Sequence, residues 1–189
     1  LINLPASLKK AKLAQIDLDD LGRLPIFERL YAFVDLYPSI RKGLYLYGDF
    51  GVGKSYMMAA LAHDLSEKRG VSTTLLHYPS FVLDVKNAIN SGQVKEKIDD
   101  VKVAQVLILD DIGAESITQW TRDEILLPVL DERMNKGMKT YFTSNYSMEE
   151  LEQQYRLANK PNNTIASLRI LERIRTLSKP VELSGKSRR

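Results

Sequence analysis

The chain has 189 residues, of which 44% are hydrophobic and 27% charged, and its formal net charge is +3. These values are typical of one globular domain with a sizeable core, and no apolar run is long enough to cross a bilayer. There is no cysteine, which excludes disulfide bonds and thiolate metal sites and fits a reducing, cytoplasmic compartment. Residues 156–189 carry nine lysines and arginines against two acidic residues, which suits either a phosphate-bearing ligand or a solvated basic face.

Helical and strand patterns alternate along the chain after a mixed lead-in. Because the chain begins at Leu1 rather than Met, we expect residues 1–23 to lead in from a preceding domain and residues 24–189 to form one domain. Apolar residues at helical spacing predict, in chain order, helices at 24–37, 53–68, 79–89, 93–101, 118–135 and 164–177. Apolar and β-branched runs between them predict strands at 43–47, 71–78, 103–109, 140–144 and 181–183.

Strands that alternate with helices favour a parallel sheet with helices on both faces. We therefore predict a three-layer α/β domain with a central five-stranded parallel sheet. In such sheets, ligands bind in the crevice at the carboxyl ends of the strands. The polar motifs that directly follow the strands are therefore the candidate functional residues.

A glycine-rich loop follows the first strand and matches the phosphate-loop pattern at every required position. The predicted nucleotide-binding residues are Gly48, Asp49, Phe50, Gly51, Val52, Gly53, Lys54, Ser55 and Tyr56. Glycines let successive N–H groups face phosphate oxygens, and the following helix adds its positive N-terminal end. In this pattern Lys54 reaches the β- and γ-phosphates, and the Ser55 hydroxyl ligates magnesium. The loop therefore predicts ATP or ADP with Mg²⁺ as ligands, and the flanking strand and helix disfavour a chance glycine-rich turn.

Two aspartates end the third predicted strand. Four apolar residues, 106–109, precede Asp110 and Asp111. At this edge Asp110 is placed to hold magnesium, directly or through water. Asp111 is placed to orient or deprotonate the attacking water. The alternative is that the strand simply ends in a polar turn and the aspartates have no catalytic role. The phosphate loop upstream favours the catalytic interpretation.

The fourth predicted strand ends in Thr143, Ser144 and Asn145. Together with the phosphate loop and the Asp-Asp strand end, this segment resembles the initiator clade of AAA+ P-loop NTPases. The resemblance implies that Asn145 acts as sensor 1 and contacts the γ-phosphate or the water. Most AAA+ proteins have glutamate at the position of Asp111, and the shorter acid here implies slow hydrolysis.

Further segments resemble bacterial replicative helicase loaders of the DnaI/DnaC type. They are LDDIGAE at 109–115, WTRDE at 120–124, LERIR at 171–175 and LSGKSRR at 183–189. The resemblance spans roughly residues 24–189 and implies an AAA+ domain without a C-terminal helical lid. It also implies that Arg173 is an arginine finger for a neighbouring subunit's site and that Arg188 or Arg189 has a sensor 2 role. The alternative for each arginine is a solvent-exposed charge with no role at a nucleotide site.

The same resemblance implies three partners: the replicative helicase, bound mainly through a preceding N-terminal domain, single-stranded DNA, and further copies of the chain. No membrane partner is expected. The initiator clade inserts helices after the second strand that line a single-strand channel, which makes Phe81, Lys86, Lys95 and Lys97 candidate DNA contacts. Against this, Phe81 lies at the spacing of a core residue, and Lys95 and Lys97 lie among acidic residues.

Three functional hypotheses follow. The first is an ATP-dependent helicase loader of replication initiation, an ATP-binding switch that helps place the replicative helicase on single-stranded DNA. The second keeps the fold but is an IstB-like transposition helper ATPase that regulates a transposase. The third is a small-molecule phosphotransferase, for which the sequence shows no clear lid or acceptor pocket. His63 and His77 have no partner at ligand spacing and are interpreted as structural.

Overall fold

A five-stranded parallel sheet forms the centre of the domain, as the alternating patterns predicted. The computed structural model describes residues 6–19, 21–156 and 163–188. The strands are β1 (Gly43–Tyr47), β2 (Thr73–His77), β3 (Val106–Asp110), β4 (Lys139–Ser144) and β5 (Ser178–Glu182). They lie in the order β2-β3-β4-β1-β5, and every neighbouring pair is parallel. The carboxyl ends of all five strands therefore meet at one edge.

Helices cover both faces of the sheet. In the described ranges they are α1 (Ala6–Lys9), α2 (Leu24–Asp35), α3 (Lys54–Arg69), α4 (Tyr78–Asn87), α5 (Val94–Val103), α6 (Leu127–Asn135), α7 (Met148–Tyr155) and α8 (Asn163–Leu177). A π-helical segment, Thr121–Leu126, precedes α6. The helix predicted at 118–135 is present, with this π-helical segment before Pro128, which has no N–H to donate to the preceding turn.

Successive strand residues face opposite sides, which gives the domain three layers. In β1, Leu44 and Leu46 join the core formed with α2 and α3, whereas Tyr45 joins the core on the other face. In β3, Ile108 and Leu109 are divided between the two cores in the same way. Both faces of these strands are buried, which explains their continuous apolar sequences.

The lead-in packs onto the domain over its described residues. Helix α1 contacts α3, and Leu13 and Ile16 are buried in the core that α2 and α3 share with the sheet. The described lead-in residues therefore pack against the domain, and the boundary after residue 23 stays a prediction. This segment has few apolar residues and they follow no helical or strand spacing, so the sequence did not predict that contact.

Two helices, α1 and α7, were not predicted. Helix α7 begins with a capping box, in which Ser147 Oγ accepts from the Glu150 N–H at 3.2 Å and the Glu150 carboxylate accepts from the Ser147 N–H at 2.8 Å. Between β5 and Arg188, the last described residue, there is no helix. No helix among the described residues is long and apolar enough to span a membrane.

Candidate nucleotide-binding site

A cleft of about 1110 Å³ opens at the carboxyl edge of the sheet. The loop after β1 lines it together with His77 from β2, Asp110 and Asp111 from the end of β3, and Asn145 from the end of β4. The strand order places these four side chains around the loop although they are far apart in the sequence. The motifs predicted separately from the sequence thus form one site.

The loop between β1 and α3 adopts conformations that favour glycine. Gly48 and Gly53 have φ values of +147° and +101°. A Cβ on Gly53 would lie 2.8 Å from an Nη atom of Arg23, and a Cβ on Gly48 would overlap the carbonyl oxygen of Leu183. A side chain at either position would strain the backbone and clash with its surroundings. Arg23, from the lead-in, also donates to the Val52 carbonyl oxygen at 3.3 Å.

Lys54 is buried inside the curl of this loop. Its Nζ donates to the carbonyl oxygens of Gly48 and Asp49, both at 2.7 Å, and to Asn145 Oδ1 at 2.9 Å. Helix α3 begins at Lys54, so its N-terminal partial positive charge adds to that of the ammonium group. The loop therefore presents a concentrated positive field to an anion such as a nucleotide phosphate.

The remaining loop residues differ in exposure. Val52 is buried, whereas Phe50 is 70% exposed and Tyr56 is half-buried. Phe50, Gly51 and Tyr56 all line the cleft. Six of the nine predicted nucleotide-binding residues thus line the cleft, since Gly53, Lys54 and Ser55 do so as well, and Val52 packs in the core behind them.

Hydroxyl and carboxylate oxygens form a compact cluster at the end of β3. Ser55 Oγ and Thr143 Oγ1 both donate to Asp110 Oδ1, at 2.8 and 2.6 Å. Such oxygens are the ligands that Mg²⁺ prefers, with water and phosphate oxygens completing its shell. Ser55 and Asp110 therefore fit the predicted metal site. Among the described residues, no group of three or more His, Cys, Asp or Glu side chains is placed to hold a metal ion.

Asp111 has an unusual backbone for a residue other than glycine, with φ of +64°. Its Oδ1 accepts from Asn145 Nδ2 at 2.8 Å, and its Oδ2 lies 3.9 Å from His77 Nε2. Burial is the main cause that raises the pKa of Asp111, and the charge of Asp110 adds to it. The charges of His77 and Lys54 act in the opposite direction. A higher pKa makes a carboxylate a better proton acceptor, provided it is ionised at the working pH.

Asn145 connects the two ends of this site. Its Oδ1 accepts from Lys54 and its Nδ2 donates to Asp111. The amide therefore lies between the cation that would hold a γ-phosphate and the acid that would activate water. This is the placement that a sensor 1 role requires, and the role itself stays a prediction.

Two residues near Asp111 were missed as functional candidates. His77 was interpreted as structural, but its ring lines the cleft, with Nδ1 at 2.8 Å from Ser80 Oγ and Nε2 towards Asp111. Thr143 was assigned no role, yet its Oγ1 accepts from the Asp111 N–H at 2.8 Å. The only available signal was position, since both residues lie at strand ends. His63, in contrast, lies on α3 with its ring 3.1 Å from a lead-in carbonyl oxygen.

Arg188 reaches the cleft from the C-terminal side. Its backbone N–H donates to the Gly51 carbonyl oxygen at 2.9 Å, and its guanidinium pairs with Asp17, at 2.7 Å, and with Asp19. Of the two arginines predicted for the sensor 2 role, Arg188 thus lies beside the phosphate loop. Arg189 lies outside the described residues.

Arg173 is not part of the cleft of its own chain. It lies on α8, where its Nε is 2.6 Å from Asp131 Oδ1 on α6 and its Nη1 is 3.3 Å from Glu172. A guanidinium in this place serves a nucleotide only if the nucleotide belongs to another subunit. The predicted finger role in a neighbouring site is compatible with this position and stays a prediction.

The candidate DNA contacts lie on α4 and α5. Phe81 is buried in the core beneath these helices at 7% exposure, which leaves little of its ring for stacking on a base, and its role in DNA binding stays a prediction. Lys95 is exposed and Lys86 is half-buried, while Lys97 lines the cleft beside Asp100. The charge of this surface is mixed rather than strongly basic.

Comparison with known proteins identifies close relatives. Residues 32–189 match the family model described as IstB-like ATP binding protein. The chain is 41% identical to the replicative helicase loader DnaI of Bacillus subtilis (strain 168). The aligned region has 182 residues and covers 95% of this chain. It spans little more than half of that relative, 58% of its length.

Two solved structures share the fold along almost the whole chain. A candidate primosome component from Streptococcus pyogenes serotype M3 is 48% identical, with a TM-score of 0.81 over 99% of this chain and 93% of the other. The crystal structure of DnaI is 37% identical, with a TM-score of 0.86 over 96% of this chain and 95% of the other. The fold is that of an AAA+ P-loop domain, and the chain belongs to the IstB-like ATP binding protein family.

Proposed function

We propose that this chain is the ATPase domain of a replicative helicase loader. In this role it is a magnesium-dependent, ATP-binding switch of replication initiation that helps to place the replicative helicase on single-stranded DNA in the cytoplasm. The observation that carries the proposal is the 41% identity with DnaI across 95% of the chain. The nucleotide-binding cleft, which Lys54, Ser55, Asp110, Asp111 and Asn145 line together, supports it.

Hydrolysis would divide the work among the strand ends. Lys54 and the loop amides bind the phosphates, and Ser55 and Asp110 hold Mg²⁺, which neutralises phosphate charge when it is bound. Asp111 accepts a proton from the attacking water, while Asn145 keeps that carboxylate and the Lys54 ammonium in register. Because the Asp side chain is one methylene shorter than Glu, we expect turnover by the isolated chain to be slow.

Arg173 would complete the site of a neighbouring copy. An arginine supplied to the γ-phosphate stabilises charge that develops in the transition state, and such fingers contribute roughly 10³–10⁵-fold to turnover. We expect Arg173→Ala to keep ATP binding but to abolish the rise in specific activity that accompanies assembly at high protein concentration. The measurement is turnover per chain against concentration, with assembly followed by light scattering.

Asp131→Asn is the matched control for that experiment. It breaks the same ion pair with Arg173 but leaves the guanidinium in place. If the pair only stabilises the packing of α6 and α8, both variants should lose activity together. If Arg173 acts on a neighbour, Asp131→Asn should stay within about threefold of the wild type. Equal turnover by wild type and Arg173→Ala at every concentration would contradict the finger role.

Single-stranded DNA would meet the surface of α4 and α5. With Phe81 in the core, the proposed contacts reduce to Lys86, Lys95 and Lys97, which would neutralise phosphates rather than stack on bases. Because Asp100 lies beside Lys97 in the cleft, contacts there would be weak and strongly salt-dependent.

A transposition helper is the second candidate, because the matching family model carries the IstB name. Such a protein would use the same ATP site but respond to a transposase on target DNA. A small-molecule phosphotransferase is the third hypothesis. No observation favours it specifically, and turnover that depends on a small acceptor rather than on DNA would be its signature.

The deciding experiment is capture of purified replicative helicase by the full-length protein that contains this chain. It is carried out with ATP, with ADP and with the Lys54→Ala variant, and a purified IstB-family transposase serves as the competing bait. Capture of the helicase that changes between ATP and ADP, and is insensitive to nucleotide in Lys54→Ala, supports the loader. Capture of the transposase alone would transfer the proposal to the transposition helper.

A further inference from the structure

A buried carboxylate that the hydrolysis scheme does not use lies in the turn after β3. Glu115 is 8% exposed and is not among the residues that line the cleft. Its Oε2 accepts from the backbone N–H of Gly113 and its Oε1 accepts from the hydroxyl of Tyr155, both at 2.7 Å. Burying a carboxylate is unfavourable unless donors of this kind satisfy it, so a group with this cost calls for a role.

The turn that Glu115 holds is the one that presents Asp111. Asp111 has φ of +64° and Gly113 has φ of +91°, both in the left-handed region. On the opposite side, Gly113 is packed so closely that a Cβ there would lie 2.7 Å from Leu151 and 2.9 Å from Tyr146. Unusual backbone conformations persist only where the surroundings enforce them. Hydrogen bonds from β4 hold Asp111 and Ile112, and the Glu115 hydrogen bond and this packing hold Gly113.

The same carboxylate connects the turn to the helix that follows Asn145. Tyr155 is the last residue of α7, and its hydroxyl is the second donor to Glu115. The backbone carbonyl of Tyr155 also accepts from Arg122 Nη1 at 3.1 Å, which fixes the end of the helix. The position of Glu115 is therefore set by an element that begins just after the sensor 1 candidate.

Tyr78 brings a third segment to the same buried cluster. It is the first residue of α4, directly after His77, and it is buried at 2% exposure. Burial is the main cause that raises the pKa of Tyr78, and the negative charge of Glu115 adds to it. Tyr78 and Tyr155, whose hydroxyl donates to Glu115, belong to one buried core cluster, so the segment that follows His77 packs into the core that Glu115 contacts.

We propose that Glu115 is a positioning residue for ATP hydrolysis, which holds the Gly113 amide and thereby aims the Asp111 carboxylate into the cleft. The proposal rests on the proposed ATPase function. Small displacements of a catalytic group, on the order of 1 Å, can cost roughly a hundredfold in rate. Loss of the Glu115 contacts should therefore lower kcat while ATP binding, which depends on the loop around Lys54, is retained.

Two substitutions separate hydrogen bonding from charge and volume. Glu115→Gln keeps an acceptor for the Gly113 N–H, and its NH₂ group can donate to the Tyr155 oxygen, whose hydroxyl rotates freely. Glu115→Leu keeps a similar volume but removes both acceptors. We expect Glu115→Gln to keep kcat within about threefold and Glu115→Leu to lower it by roughly ten- to hundredfold. The Kd for ATP should change by less than about twofold in both.

A merely structural role would produce a different result. Leu30→Ala is the control, because Leu30 is fully buried on α2 at the opposite face of the sheet and its truncation destabilises the fold without touching the turn. Turnover is measured well below the Tm of every variant. If Glu115→Leu keeps wild-type kcat under these conditions, as Leu30→Ala should, the positioning role is overturned. If Glu115→Leu does not fold, Tyr155→Phe replaces it in this comparison, because it removes only the hydroxyl that donates to Glu115.

Hydrogen exchange at the Gly113 amide tests the proposal without any turnover. The amide should be protected in the wild type and in Glu115→Gln, and exchange at least about tenfold faster in Glu115→Leu. A wild type that binds ATP but never hydrolyses it would defeat the proposed ATPase function. In that case, unchanged protection of the Gly113 amide in Glu115→Leu would also overturn the role of Glu115. Lost protection would instead show that Glu115 holds the turn.

Discussion

Lys54→Ala should weaken ATP binding by roughly a hundredfold, equivalent to about 2.7 kcal/mol. The ammonium group lies inside the loop with three hydrogen-bond acceptors around it, and phosphate oxygens would be stronger acceptors than the neutral ones it now has. Charge-assisted hydrogen bonds contribute more than neutral ones, particularly in a buried setting. Isothermal titration with Mg-ATP at fixed ionic strength measures the change.

Lys68→Ala is the matched control for this prediction. Lys68 lies at the far end of α3, where it is 48% exposed and pairs with Asp64 at 2.6 Å. Its removal takes the same charge from the same helix but leaves the loop unchanged, so its Kd should stay within about twofold of the wild type. An equal loss of affinity in both variants would show that overall charge, rather than the loop geometry, determines binding.

Asp111→Asn should abolish most turnover while it retains ATP binding. A positioned general base contributes roughly 10²–10⁴-fold, and an amide cannot accept the proton from water. Asparagine is the cleanest replacement here because it tolerates the left-handed backbone that Asp111 adopts, so the turn is not strained by the change. Single-turnover hydrolysis with saturating ATP measures the effect. Wild-type turnover in this variant would remove Asp111 from the mechanism.

The same variant should unfold at a higher temperature than the wild type. The pKa of Asp111 is raised in the folded protein, mainly by burial, so the folded state disfavours its charged form. Stability from such a group is fully present below its unfolded pKa and is lost as the pH rises through the folded pKa. The difference in Tm should therefore be present at pH 7 and shrink towards pH 4. A lower Tm for Asp111→Asn at pH 7 would contradict this electrostatic account.

The sequence was sufficient for the parts of the site that depend on neighbours in the chain. The phosphate loop, Asp110 and Asp111 are local motifs next to apolar strands, and the structure places each at the expected strand end. The parallel sheet itself also follows from local patterns, because both faces of its strands are buried and their residues are apolar throughout. Helix α7 could have been predicted too, from the Ser147–Glu150 capping signal.

The remaining features depend on contacts between distant segments. Nothing near His77 or Thr143 in the sequence shows that the order β2-β3-β4 brings both to the side chain or backbone of Asp111. Phe81 was a candidate for DNA because it follows the second strand, although its spacing already favoured the core in which the packing of α4 places it. The ion pair of Arg173 with Asp131 has no sequence signal, since α6 and α8 are separated by β4 and α7.

The pairing of β1 with β5 has a consequence for how the molecule is made. Gly43 lies opposite Ser178, and the Leu183 backbone that follows β5 packs against Gly48 of the phosphate loop and donates to Tyr47. Pairings between such distant segments form late, because a long stretch of chain must be closed first. A nascent polypeptide that does not yet include β5 and Leu183 would therefore carry the loop without its neighbouring wall. ATP should thus bind a chain that includes β5 and Leu183 and not one that stops before them.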